Sequence, residues 1–145
     1  MSAEVEVVRE VTDEIVAAVN RLLPQLSGSA APVTAAALAE VASREGSRLL
    51  IARAGDDVVG MLTLVTFPVP TGLRAWIEDV VVDESARGRG AGAALTREAV
   101  RLARDAGART VDLTSRPSRA AANRLYQRLG FQLRDSHLYR LGPVG

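Results

Sequence analysis

Residues 87 to 92 read RGRGAG, three glycines interleaved with two arginines and an alanine, between the apolar run IEDVVVDESA and the helical stretch GAALTREAVRLARDAG. A glycine-rich turn that leads from a strand into a helix N-terminus is an anion site. The first N–H groups of a helix have no partner inside it, and the helix dipole adds partial positive charge there. Glycine lets a phosphate approach the backbone with no Cβ in the way. Each glycine weakens the first turn by about 1 kcal/mol relative to alanine, a loss that a bound phosphate or pyrophosphate offsets. Arg87 and Arg89 add charge at the rim. A P-loop needs a lysine, and this chain has none. A dinucleotide fingerprint wants a different glycine spacing and a place in the first strand–helix unit. An unliganded tight turn is the plain structural alternative.

Other chemistry is narrowed by absence. With no cysteine, disulfides, thiolate metal sites and a cysteine nucleophile are excluded, and a lone histidine, His137, makes no metal site. His137 is expected at the surface of a last hairpin. Ser115, Ser118 and Ser136 have no histidine neighbour in sequence, and nothing suggests a triad. All 18 basic side chains are arginines, and the net charge is +1, so there is no overall pull toward nucleic acid or membrane. Arg97, Arg101 and Arg104, with acidic residues among them, read as a solvated helix face.

The elements that must hold the glycine turn follow from periodicity. The 145 residues, 48% of them hydrophobic and 24% charged, suit one soluble domain, residues 1–145. Val5 to Arg9 alternates as a strand. Thr12 and Asp13 cap a helix that Pro24 is expected to end, QLSGSAAP is a loop, and VTAAALAEVASREG is a second helix. RLLIARAGDDVVGMLTLVTF reads as a hairpin turning at Ala54 to Asp57. AWIEDVVVDE is a fourth strand, its apolar run predicting burial on both faces. A helix from Gly92 to Gly107 carries the stripe Leu95, Ala99, Leu102, Ala103 and Ala106. RTVDLTSR is a fifth strand, parallel to the fourth. Ser118 caps a fourth helix closed by Gly130, and FQLRDSHLYRL is a closing hairpin. The order is β-α-α-β-β-β-α-β-α-β-β. No apolar stretch reaches the roughly 20 residues of a membrane helix, and MSAEVEVVREVTDE lacks the form of a signal peptide, so a cytoplasmic location is expected.

Arg87-x-x-Gly90-x-Gly92, after a strand and before a helix, resembles the R/Q-x-x-G-x-G/A motif of the GNAT superfamily of N-acetyltransferases. ANRLYQRLGF, Ala122 to Phe131, is similar to that family's second conserved helix, and the element order agrees over essentially the whole chain. The resemblance implies an α/β (α+β) fold with a mixed, mostly antiparallel sheet of about seven strands flanked by four helices. It implies an acetyl-coenzyme A site. The pyrophosphate would lie on the N–H groups of Gly88, Arg89, Gly90, Ala91, Gly92 and Ala93, with Arg87 beside them. The pantetheine arm would pair like an added strand along Val80, Val81 and Val82, where neighbouring strands must splay.

In the family the asparagine, here Asn123, contacts coenzyme A, and the tyrosine, here Tyr126, faces the sulfur. A departing thiolate needs a proton donor, so Tyr126 is the expected general acid. An ammonium with a pKa near 10.4 must lose a proton before it attacks. Strand alternation sets Trp76, Glu78, Val80 and Val82 on one face and Asp79 on the other, making Glu78 the expected base. The tripeptide IED resembles polyamine and glucosamine-phosphate acetyltransferases of the superfamily. A backbone N–H, with Val80 the candidate, would polarise the thioester carbonyl. The expected reaction moves acetyl directly to a primary amine in a ternary complex. A non-catalytic coenzyme A-binding or sensor domain is the other reading. QLSGSAAP and FPVPTGLR would line the acceptor site, and a homodimer is common in the superfamily.

Overall fold

The computed structural model describes residues 3–145. The chain divides into two compact units, one running through Thr114 and the other spanning Ser115–Gly145.

The first unit is a five-stranded sheet in the order β1-β2-β3-β4-β5, with β1 Glu4–Val7, β2 Ser47–Ala54, β3 Asp57–Val69, β4 Gly72–Val82 and β5 Thr110–Asp112. The first three pairings are antiparallel and β4–β5 is parallel. Three helices belong to this unit: α1 Asp13–Leu26, α2 Ala35–Ser43 and α3 Ala91–Asp105. Thr12 and Thr34 cap α1 and α2, each hydroxyl accepting a backbone N–H three residues on. Pro24 does not end α1 as expected; the helix runs two residues further, to Leu26. Asn20, whose carbonyl Pro24 leaves without its helical donor, uses its side-chain amide to bond both N–H and carbonyl of Val33. That pair ties α1 to the start of α2.

The two sheet faces are covered by different helices. Ile15, Ala18, Val19 and Leu22 of α1 and Leu38 of α2 pack with Leu49, Ile51, Met61 and Val81. On the other face α3 presents the buried residues Leu95, Ala99 and Ala103. Gly60 allows this approach, because a Cβ there would lie 3.1 Å from Leu95 Cδ1 and 3.3 Å from the Val81 carbonyl oxygen. Of the expected stripe on α3, Leu102 is half-buried and Ala106 exposed.

The second unit holds α4, Ala120–Arg128, and no strand among its residues. The sheet therefore has five strands where about seven were expected, and the closing hairpin at 131–141 is the difference. Alternation states which side chains share a face, but a strand exists only inside a ladder. Residues 131–145 form none, and Leu133, Leu138, Tyr139 and Leu141 stand exposed. His137 is exposed with them. The cap of α4 is Arg119 and not Ser118, and it makes no side-chain bond to the helix.

Candidate active site

The middle of β4 is irregular, and the irregularity decides which side chains share a face. Thr63 of β3 faces Glu78, while Met61 faces Val81, so two residues of β4, Asp79 and Val80, stand against Leu62 alone. This is a β-bulge, and Asp79 has the positive φ of 52° that lets the chain accommodate it. Aspartate is among the few side chains that tolerate that region. Because of the extra residue, Val81 joins Trp76 and Glu78 on the face that carries α1 and α2, and Val82 moves to the other. Simple alternation, which grouped Val80 and Val82 with Glu78, fails here. Burial of β4 on both faces holds only in part: Ala75 and Ile77 are buried on one face and Val81 on the other, whereas Glu78 is exposed. The indole N–H of Trp76 donates to Glu78 Oε1 at 2.6 Å and holds that carboxylate in place.

The far side of β4 is open over this same stretch. β5 pairs with β4 only at Arg74, Ala75 and Trp76. Among the described residues no strand pairs with Ile77–Val82 on that side, which is the divergence a strand-like ligand requires.

After β4 the chain makes a short 3-10 turn, Glu84–Ala86. Asp83 caps it, its carboxylate accepting both the N–H and the hydroxyl of Ser85 at 3.0 Å. These two bonds, and Arg21 behind them, hold the Asp83 carboxyl below its ordinary value. Arg21 Nε lies 3.6 Å from Asp83 and Nη2 donates to the Val58 carbonyl at 2.6 Å. Gln25 Oε1 accepts the Glu84 N–H at 2.9 Å. The RGRGAG loop follows. Gly88 and Gly90 adopt positive φ, 81° and 87°, and a Cβ built on either meets nothing within 4 Å. Gly90 is the N-cap of α3 and offers no side-chain acceptor, so the first-turn N–H groups, which include Ala91, Gly92 and Ala93, face an uncapped end. Arg87 turns back, its Nε donating to the Val82 carbonyl at 3.3 Å, and Arg89 is exposed. Open space, left-handed glycines and an uncapped helix end fit a pyrophosphate.

Asn123 and Tyr126 belong to the second unit, one turn apart on α4. Asn123 Nδ2 donates to the Arg116 carbonyl at 3.0 Å and closes the loop that precedes the helix. Tyr126 is buried and sits at the start of a Schellman ending. Phe131 N–H bonds the Tyr126 carbonyl at 3.0 Å, Gly130 N–H bonds the Gln127 carbonyl at 3.1 Å, and Gly130 has φ 99°. Across this reversal the Phe131 ring stands edge-on to Tyr126, centroids 5.9 Å apart. Burial pushes the Tyr126 hydroxyl above its ordinary value, with the Arg119 charge opposing. Ser115 Oγ is buried and makes no hydrogen bond among the described residues.

A family model for the acetyltransferase (GNAT) family matches residues 13–131, a span that includes β4, the glycine loop and α4. The chain belongs to that family. It is an acyltransferase. In solved structures this acetyltransferase is similar to an acetyltransferase from Trypanosoma brucei, at 28% identity and TM-score 0.79, covering 98% of this chain and 100% of that one. It is also similar to a transcriptional regulator from Bacillus halodurans, at 26% identity and TM-score 0.81, covering 97% and 99%. An aminoglycoside acetyltransferase from an uncultured soil metagenomic sample, at 16% identity, shares the fold with a TM-score of 0.82 over 97% of each chain. No curated protein matches the acetyltransferase in sequence. Among its described residues no helix is long and apolar enough to cross a membrane.

Reading the sequence missed the part that four residues play in shaping this region. Asp79 makes the bulge, Asp83 and Ser85 pin the turn, and Gln25 reaches it from α1. Asp83-Glu84-Ser85 carried a usable signal, since an aspartate ahead of an acidic first turn is a cap. Gln25 carried none, being 59 positions from its partner.

Proposed function

We propose that this acetyltransferase transfers acetyl from acetyl-coenzyme A directly to the primary amine of a small molecule or peptide, within one domain and in a ternary complex. The observation that most supports this reading is the open edge of β4 running into an uncapped helix end at Gly90. The N–H groups of Gly88 to Ala93 would hold the pyrophosphate, with Arg87 and Arg89 at its rim, and Val80 to Val82 would pair with the pantetheine amides. Asn123 is carried over from the family as a further contact. Acetyl-coenzyme A supplies the acetyl group already activated as a thioester.

The residues then have separate tasks. The Glu78 carboxylate, directly or through a water, takes a proton from the acceptor ammonium so that its nitrogen lone pair can attack the thioester carbonyl. The Val80 N–H is the proposed donor to the carbonyl oxygen as negative charge develops there. The new C–N bond forms as the C–S bond breaks, the Tyr126 hydroxyl donates a proton to the departing sulfur, and the second proton shed by the nitrogen restores the Tyr126 phenol, leaving a neutral amide and a free thiol. With no cysteine in the chain, a direct transfer needs no covalent acetyl-enzyme. Exposure of Glu78 on the sheet face that carries α1 and α2 is consistent with a cationic acceptor there. A cytoplasmic location and a homodimer are part of the same reading, the first resting on the sequence and the second on the family resemblance alone.

Two measurements test the proposal. Acetyl-coenzyme A at about 100 times its Kd stabilises a one-site protein by roughly 2.7 kcal/mol, a melting shift of roughly 5–10 °C for a chain of this size. Free-thiol release across polyamines, aminoglycosides, amino acids and peptide N-termini then finds the acceptor. No shift removes the donor assignment; a shift with no release across the panel favours a binding or sensor role.

A further inference from the structure

We infer that Gln25 is a positioning residue for donor binding, acting from α1 on the turn that launches the glycine loop. This rests on the acetyl-coenzyme A reading above. The geometry is a two-point attachment. At one point Gln25 Oε1 accepts the Glu84 N–H. At the other, Arg21 spans from the Val58 carbonyl to the Asp83 carboxylate. Asp83 is itself fixed to β3 by its own N–H, bonded to the Val59 carbonyl at 2.7 Å.

Every leading donor of the turn is thereby satisfied. Glu84 N–H goes to Gln25, Ser85 N–H to the Asp83 carboxylate, Ala86 N–H to the Asp83 carbonyl, and Arg87 N–H to the Glu84 carbonyl. Three of those four bonds are local to the turn. Of these four only the bond to Gln25 comes from another element, and with the hold of Arg21 and Val59 on Asp83 it sets the direction in which the turn points. Immediately downstream the supports end: Gly88 and Gly90 have nothing around them within 4 Å of a Cβ. Further downstream the loop is held by α3, where the Gly90 carbonyl accepts the Ala94 N–H, so its N–H groups stay in register only if its upstream end is fixed as well. Donor affinity should therefore depend on a glutamine that touches no part of the loop itself.

Gln25→Ala and Gln25→Glu separate this from a general packing role. The glutamate keeps an oxygen that accepts from Glu84 N–H; the alanine does not. Expected for Gln25→Ala is a KM for acetyl-coenzyme A raised about fivefold, the loss of one hydrogen bond, with kcat at saturating substrates within about twofold. Gln25→Glu returns the donor KM to within about twofold of the parent. Amide exchange at Glu84 should quicken in the alanine variant alone. An unchanged donor KM in Gln25→Ala, an unchanged Glu84 exchange rate, or a failure of Gln25→Glu to rescue overturns the inference. If the parent protein itself shows no melting shift with acetyl-coenzyme A, the functional reading fails, and the donor role of Gln25 with it.

Discussion

Trp76 and Glu78 are joined by a 2.6 Å hydrogen bond on one face of β4, indole N–H to carboxylate oxygen. The bond occupies Oε1 and leaves Oε2 to receive a proton. For the proposed base, Glu78→Gln should lower kcat/KM for the amine about a hundredfold while leaving the KM for acetyl-coenzyme A unchanged. Trp76→Phe keeps a ring and deletes the N–H, and should lower the same quantity by a smaller factor. Steady-state kinetics decides; an unaltered kcat/KM in Glu78→Gln removes Glu78 as the base.

Tyr126 makes a prediction about pH. Burial raises its hydroxyl above the ordinary value of about 10, so the fold favours the protonated phenol. The donor is thus intact below about pH 10 and is lost only as pH rises through the raised value. Tyr126→Phe should reduce kcat about a hundredfold and preserve the melting shift with acetyl-coenzyme A. An alkaline limb centred near pH 8 that disappears in Tyr126→Phe would contradict the assignment.

Gly90 has φ 87° and opens α3. Gly90→Ala forces a Cβ into the left-handed region, which costs about 1 kcal/mol or more. Without ligand the melting temperature should fall by roughly 2–4 °C. The gain on adding acetyl-coenzyme A should shrink as well, because relaxation of the strain turns the first N–H groups aside. A fall in stability with an undiminished ligand shift would separate the glycine from donor binding.

Acid should loosen the first unit. The Ser85 donors with Arg21 depress Asp83, the Arg101 guanidinium depresses Glu98, and Arg53 depresses Glu14. Carboxyls held below their unfolded values stabilise the fold above about pH 4, and that contribution is lost as pH falls through the depressed values. These groups face solvent, so the slope should be shallow and weakened by salt. Thermal melts should be level from about pH 7 to 5 and decline below about 4. A melting temperature that rises below pH 4 would reverse the sign.

Local chemistry was legible in the sequence, and long-range agreement was not. RGRGAG announced an uncapped helix entrance, and Gly90 indeed opens α3 in the left-handed region. Gly130 was legible as a helix stop, and its φ of 99° and Schellman bonds bear that out. The parallel β4–β5 pairing followed from the strand–helix–strand order. Pro24 misled because a proline within the last turn costs one hydrogen bond, and Asn20 uses its side chain to hold the following loop. FQLRDSHLYRL misled because its alternation names two faces without naming a neighbour. The hold of Gln25 on Glu84 exists only after the sheet has formed.

The bulge at Asp79 has one more consequence, for how this strand tolerates change in length. Strand residues alternate like odd and even numbers, and Asp79–Val80 is where the count is reset. Deleting one residue there would not merely shorten β4. It would exchange odd for even in everything on one side of the cut, moving Val81 out of the core it shares with α1 or Glu78 and Trp76 off their face. An insertion of one would do the same, whereas paired changes would restore the count. Length at this point of β4 is therefore more tightly constrained than the identity of most side chains around it.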